Sequence, residues 1–491
     1  MKEHFGVSGI KIYAPPFRVK LEDWCGWTGN TWGKVQSVVG SSFRVRGPHE
    51  SIYTMAANAV LRLIIDYDVD PAQVGFLGFG TESSTDNAAG AIVIKGMVDR
   101  ALEALGHPML SRHCEVPEFK HACLGGVYAQ KGALRYLATD GRGRQAIVVC
   151  GDIAEYERGS SGEQTQGAGA VAMLLSERPV LYRVDLERTG SAADYRGPDF
   201  RKPHQRHFMN GAPPNNPARL RDFPVFSGKY STICYVDEVL RAMDDLLAKL
   251  RITPRRFYHQ VAGIFMHRPY HAMPVTGAAA LYVWGLGASE AHHPELRELC
   301  AKAGADFDAA LREMRSLPDL FMSFQQGKGT GEDVYPESMK VVKEFRATAK
   351  FREVVRSKLA LGAAAMMDIG NLYTASLPAW IAAGLEEALG AGRELAEQEF
   401  LTVGYGSGDA AEAALIQIAP GWQEAARKIG FGDALARPVD LTRAQYEALH
   451  DGHEAPALGY EPRREFVVER LGQLRGGEQQ DLGLEYYRYV P

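Results

Sequence analysis

The sequence predicts a layered α/β fold built from two similar halves, and three observations lead there. Apolar runs of strand length alternate with longer runs whose apolar residues recur at helical spacing. The strand-like runs end in glycines and small polar residues, as strands entering turns do. The alternation is interrupted by a segment rich in Pro, Asn, Arg and Gly at about 185–230, then resumes in similar order. Strands set between helices imply a sheet covered on both faces. The expected division is 1–178 and 179–491, an internal duplication of structure without a visible sequence repeat.

In the first half, residues 7–15 read as a strand and 50–67 as a long helix. Residues 72–81 form a strand running into glycines, and 85–106 a second helix stopped by Gly106 and Pro108. A short extended piece leads to Cys123, and the helix of residues 125–139 begins on two glycines. Residues 144–153 and 167–176 are apolar strands flanked by turn residues. In the second half, helices are expected at 232–250, 275–287, 337–368 and 377–390, with a charged helical stretch at 295–315. Strands are expected at 260–267, 399–407 and 413–420, and no order is assigned to the charged tail after about residue 440.

Composition narrows the function classes. With 46% hydrophobic and 23% charged residues the chain is an ordinary globular protein. A net charge of −5 offers no basic face for nucleic acid or an anionic membrane. The first ten residues lack the apolar core of a signal peptide. The longest weakly polar run, 277–288, falls well short of the roughly 20 residues that span a bilayer. A cytoplasmic protein is therefore expected. Six cysteines (25, 114, 123, 150, 234 and 300) include no CxxC pair, so neither a disulfide framework nor a zinc knuckle is expected.

Several motifs fail on spacing. Residues 29–35 (GNTWGKV) are one residue short of a phosphate-binding loop and lack the Ser or Thr after lysine. In HRPYH (267–271), Pro269 spoils the helix that a paired-histidine metal site needs. Ser407 in GYGSG sits one place too late for a nucleophile elbow. Three segments survive: GFGTESSTD (78–86), KHACLGG (120–126) and IFMHRPY (264–270). They place a carboxylate, a thiol and an imidazole at strand ends, where α/β folds build their sites. A helix N-terminus beside Cys123 would favour its thiolate, and the two glycines allow close backbone approach. These residues alone leave Cys123 open between a packed thiol and a nucleophile.

In order along residues 5–420, the segments resemble the hydroxymethylglutaryl-CoA synthase family of the thiolase superfamily. GTESSTD (80–86) and HACLGG (121–126) match its Gly-Thr-Glu and Ala-Cys-x-Gly-Gly segments. VVCGDIAEY (148–156), QGAGAVAMLL (166–175), PDFRKP (198–203), FPVFSGKYSTICY (223–235), HRPY (267–270), GNLYTASL (370–377) and GYGSG (404–408) follow in family order. The resemblance implies the duplicated αβαβα layered thiolase-like fold, commonly dimeric. It implies Cys123 as the nucleophile that takes an acetyl group from a thioester, Glu82 as the acid/base, and His267 as the residue that polarises the acceptor. By the same resemblance Thr165, Ser231, Asn371 and Ser407 line the substrate and Asp199 supports the histidine. The implied activity joins an acetyl group to an acetoacetyl thioester, with acetyl-CoA and acetoacetyl-CoA as substrates and no metal or redox cofactor.

The resemblance is not uniform. Ala272 and Thr276 stand where the family places lysines that meet the phosphates of coenzyme A, and after HRPY no Lys or Arg appears until Arg297. Lys34 is displaced within residues 25–36, and Ser160 replaces a family asparagine. Relatives that take acyl groups from an acyl carrier protein give the alternative. For these, Arg201, Lys202, Arg206, Arg219 and Arg221 would supply a basic rim.

Overall fold

The computed structural model describes residues 4–202 and 223–491. Its centre is one nine-stranded sheet whose strand order records the duplication. The first half contributes β1 (Phe5–Tyr13), β2 (Val74–Gly80), β3 (Gln145–Ala154) and β4 (Gly167–Glu177). The second contributes β5 (Tyr182–Ala193), β6 (Gly263–Met266), β7 (Glu399–Gly406) and β8 (Ala410–Ile418). Outward from the middle the first half runs β1-β4-β3-β2, capped by the short strand Glu118–Phe119, and the second runs β5-β8-β7-β6. Each half is thus its first, fourth, third and second strand. The pairings repeat too: antiparallel, antiparallel, then parallel in both. The halves meet where Phe5–Val7 pair antiparallel with Tyr182–Val184.

Helices repeat with the strands: α1 (Ile52–Asp66), α2 (Gly90–Ala104) and α3 (Gly125–Ala138) in the first half, α4 (Gly228–Leu250), α5 (Ala272–Gly287) and α6 (Ser376–Gly390) in the second. A capping box between Ser51 and Thr54 starts α1, whose buried residues include Ala56, Ala57, Ala59 and Val60 and which packs on β1, β3 and β4. α4 covers β5 and β8 from the other side. Between them, α3 and α6 face each other across Val127, Leu134, Leu377 and Ile381. This gives the layered αβαβα arrangement expected from the sequence.

Close backbone approach fixes the middle layer. A Cβ on Gly80, at the end of β2, would sit 2.5 Å from Cα of Gly126. One on Gly126 would meet Sγ of Cys150 at 2.5 Å and the Thr374 carbonyl at 2.9 Å. The glycines after Cys123 therefore let the start of α3 close on β2, β3 and the turn before α6 together. That turn mirrors the first: Ala122 and Tyr373, each three residues before its helix, have φ of 43° and 44°.

The structure departs from expectation in four places. The helix expected over 337–368 is broken into Pro336–Ala347, Ala349–Val354 and short 3-10 turns. Thr348 caps a new helix there, and Gly362 has φ of 72° with no room for a side chain beside Gly384. The stretch 295–315 splits into His293–Ala303 and Phe307–Met314 at left-handed Gly304. β5 runs to Ala193, into the segment expected as an excursion. The tail has order: a hairpin of Glu465–Leu471 and Glu485–Val490 is tied down by Tyr13, which donates to Glu465 at 2.8 Å, and by Asn58, which accepts from the Phe466 N–H at 2.8 Å. Among the described residues no helix is long and apolar enough to cross a membrane.

Substituting Gly126 with Ala is expected to lower stability by about 1–3 kcal/mol, because fixed backbone blocks the new methyl group. Gly96, in α2 with open space around it, is expected to gain about 0.4–1 kcal/mol on the same change. Urea denaturation midpoints of the two variants check both signs.

Candidate active site

The loop after β2 carries Glu82, the turn before α3 carries Cys123, and the end of β6 carries His267. Sγ of Cys123 donates a hydrogen bond to Oε2 of Glu82 at 3.1 Å. Six hydrogen bonds converge on Asp152, a fully buried residue near the end of β3, and hold this geometry. Its Oδ1 accepts from the Thr81 hydroxyl at 2.9 Å, the Glu82 and Ser83 N–H groups at 2.8 Å each, and the Ser83 hydroxyl at 2.7 Å. Its Oδ2 accepts from the N–H of Thr374 at 3.1 Å and from the Thr374 hydroxyl. One carboxylate thus clamps the Glu82 loop to the turn of the second half.

A cavity of about 260 Å³ opens from Cys123. His267, Thr165, Ser231, Asn371, Ser407 and Asp199 all line it, with Tyr156, Phe200, Phe226, Tyr235, Tyr270 and Tyr405 as aromatic walls and Val38 and Val39 among its other residues. Glu82 is outside the lining and reaches the site through the thiol. Tyr156, Phe200, Phe226 and Tyr373 pack edge to face or tilted beside Cys123, with ring centroids 5.5–6.4 Å apart. Oγ of Ser231, Oγ of Ser407 and Oδ1 of Asp199 are buried without a hydrogen-bond partner among the described residues. Orphaned polar atoms around one cavity mark where a ligand's polar groups belong. Asn371 is already engaged: its Oδ1 accepts from the Tyr373 N–H at 2.9 Å and its Nδ2 donates to the Tyr156 hydroxyl at 3.3 Å. Thr165 donates to the Gly162 carbonyl at 2.8 Å.

Burial dominates the electrostatics. The Glu82 carboxyl is pushed up to about 8, first by desolvation and next by the Asp152 charge, against the pull of Cys123, Lys202 and Lys120. Desolvation and the facing Glu82 hold the Cys123 thiol well above its ordinary value. The helix N-terminus expected to favour thiolate is outweighed by these two effects. Burial alone lowers His267 to about 3, so its ring is neutral. The ring stacks on Tyr405 with centroids 6.2 Å apart. All six cysteines are free, as their spacing implied.

The sequence reading missed Asp152, Tyr405 and the aromatic wall. Asp152 was visible as the one acidic residue in the apolar run AIVVCGDIA, and Tyr405 lay inside a motif already singled out. Of the basic rim, Arg201 and Lys202 border Phe200, while Arg206, Arg219 and Arg221 lie outside the described residues.

A duplicated αβαβα fold with a cysteine at the start of a central helix, and a carboxyl and an imidazole at the ends of equivalent strands, defines a thiolase-like enzyme. The model of the hydroxymethylglutaryl-coenzyme A synthase N terminal matches residues 1–179. Over 446 residues the chain is 28% identical to hydroxymethylglutaryl-CoA synthase of Haloferax volcanii, covering 87% of each. It superposes on MvaS in complex with 3-hydroxy-3-methylglutaryl coenzyme A with a TM-score of 0.76 and 25% identity over the full length of both. The fold also matches the HMG synthase of the curacin biosynthetic pathway in complex with apo donor-ACP, at 18% identity and TM-score 0.67, over 99% of this chain and all of that one. Residues 1–179 thus match the hydroxymethylglutaryl-CoA synthase N-terminal family model, and the chain is similar to hydroxymethylglutaryl-CoA synthases over most of its length.

Because the Glu82 carboxyl is raised in the folded state, folding takes up a proton there, and stability falls as pH climbs from about 4.5 through about 8. Glu82→Gln, a neutral isostere, is expected to be more stable than the native chain near pH 9. That advantage should vanish as pH approaches about 4.5. Denaturation midpoints of both proteins across this range provide the check.

Proposed function

We propose that this chain joins an acetyl group carried on Cys123 to the 3-keto carbon of acetoacetyl-CoA, and so makes 3-hydroxy-3-methylglutaryl-CoA. The observation that carries the reading is the Cys123–Glu82 hydrogen bond beside a cavity that also receives His267.

The chemistry follows from the site. Cys123 attacks the thioester of acetyl-CoA as its proton passes to Glu82 and on to the departing CoA thiolate. The bound acetyl thioester keeps its methyl protons acidic, and Glu82, again a carboxylate, takes one to leave an enolate. A carboxyl near 8 suits a group that accepts and returns protons close to neutral pH. The enolate carbon bonds to the acceptor's 3-carbon, whose carbonyl oxygen is held by the neutral ring of His267 and becomes an alkoxide. Water then cleaves the Cys123 thioester, adding hydroxyl to the acyl carbon and a proton to sulfur. No step needs a metal or redox group. Thr165, Ser231, Asn371, Ser407 and Asp199 line the path of the thioester arm and acceptor. The chain is read from its sequence as cytoplasmic and, by analogy with thiolase relatives, as a homodimer.

A second reading, with acyl groups delivered by an acyl carrier protein, is favoured by one observation. Among the described residues the cavity's lining includes no Lys or Arg to meet the phosphates of coenzyme A. Comparing turnover with CoA-bound and carrier-bound substrates separates the two readings.

Intact-mass analysis tests the shared core. Mixing with acetyl-CoA is expected to add one acetyl group, absent in Cys123→Ala. Glu82→Ala is expected to acetylate, since losing the carboxylate lowers the thiol's pKa, but to form no C–C bond. His267→Ala should acetylate normally and condense about 10²–10³-fold more slowly. A chain that takes no acetyl from any thioester would contradict the reading.

A further inference from the structure

Behind His267 two carboxyl groups meet one hydroxyl. Tyr405 lies 3.1 Å from Oδ2 of Asp199 and 3.0 Å from Oδ1 of Asp409 through its hydroxyl oxygen. The hydroxyl has a single hydrogen and donates it to one of these oxygens. The other contact closes only if that carboxyl is itself protonated and donates to the tyrosine oxygen. Both residues are buried, 1% and 3% exposed, and neither forms an ion pair among the described residues. The nearby guanidinium of Arg196 pairs with Asp194, Asp237 and Glu238 at 3.1, 2.6 and 2.9 Å, hydrogen-bonding through Nη2 to the last two, while its Nε and Nη1 have no hydrogen-bond partner among the described residues. One further oxygen on each carboxyl, Oδ1 of Asp199 and Oδ2 of Asp409, is buried with no other donor among the described residues, and the two carboxyls face each other. As two carboxylates the pair would be a doubled buried charge; one proton between them removes half of that charge and closes both Tyr405 contacts.

We propose that Asp199 and Asp409 share one proton across Tyr405, and that Asp199, on the cavity wall, passes it to the alkoxide formed at the acceptor's 3-carbon. The role rests on the condensation proposed above. It answers a need that the neutral His267 leaves open, because a ring held without its second proton is a poor acid. Burial and the facing Asp199 hold the Asp409 carboxyl well above the usual carboxylate range, in keeping with the shared proton. The proton count closes. Glu82 gains the methyl proton, the pair loses one to the alkoxide, and the new product carboxyl releases one after hydrolysis. The pair regains a proton and Glu82 sheds its own before the next turnover. Asp199 touches the reacting oxygen, and Asp409 and Tyr405 position its proton. The groups facing the pair are Tyr405 from β7, Cys234, Tyr230 and the Arg196-bound Asp237 and Glu238 from α4, Asp194 and Arg196 after β5, and His267 after β6.

Asp409→Asn tests the assignment, since it keeps a side chain that bonds Tyr405 and removes the shared proton. With acetyl-CoA and acetoacetyl-CoA, the variant should acetylate Cys123 within twofold of the native rate, which also reports that it is folded. Turnover should fall about 10²-fold. The decline of native turnover on the basic side of the pH profile should be absent from the variant. An infrared difference spectrum, native minus Asp409→Asn at neutral pH, should show a protonated carboxyl band without any substrate. Turnover above half the native value, an unchanged basic limb, or no such band would overturn the proposal. So would one divalent cation per native chain, lost in the variant, because Asp199, Cys234 and Asp409 place ligand atoms within 4.8 Å of one another and a metal would then replace the proton. If the native chain does not acetylate while the band is present, the condensation reading fails and the shared proton stands.

Discussion

The carboxylate of Asp152 is the constraint on which the site depends. It lies in the interior, where an unpaired charge costs several kcal/mol, and it is stabilised there by six donors drawn from both halves of the molecule. Four of those donors come from Thr81, Glu82 and Ser83, so satisfying the charge fixes the backbone that presents the Glu82 side chain. The other two come from Thr374, in the turn that mirrors the one carrying Cys123. The clamp works because Gly80, Gly125 and Gly126 let the two central turns approach to distances that no side chain would permit. Sheet order, paired helices and these turns are one device repeated, and the candidate site lies where the two copies face each other.

The second common thread is desolvation. Aromatic rings enclose the thiol, and the same low-polarity surroundings raise Glu82, hold Cys123 as a thiol and strip His267 of its second proton. Each group is thereby kept in its neutral form or close to the balance point, where moving a proton is cheap. A site so arranged suits chemistry in which a carbon acid is deprotonated and an alkoxide quenched.

Much of this was legible in the sequence, and the residues show why. The alternation of apolar runs located the eight principal strands' neighbourhoods except β5, whose Arg, Asp and Glu residues at 183, 185, 187 and 188 disguise a strand lying at the junction of the halves. The break near Thr348 was hidden because its cap is a single residue within a helical pattern. Cys123 and Glu82 stood out as reactive types beside turn glycines, and His267 as one at a strand end before Pro269. Asp152 did not, because its meaning comes from Thr374, 222 residues away. The Asp199–Asp409 pair was equally hidden: Asp409 follows a motif that seemed complete at Gly408, and only folding brings it to Tyr405 and Asp199.

The central claim is that Glu82 acts as base on an acetyl group held by Cys123. Its most direct test is hydrogen exchange in the acetylated enzyme without acceptor. Native protein acetylated in deuterium oxide should take deuterium into the acetyl methyl, read by mass on the Cys123 peptide, and acetylated Glu82→Gln should take none. Equal incorporation in both proteins, or an acetyl group found on a residue other than Cys123, would contradict the account.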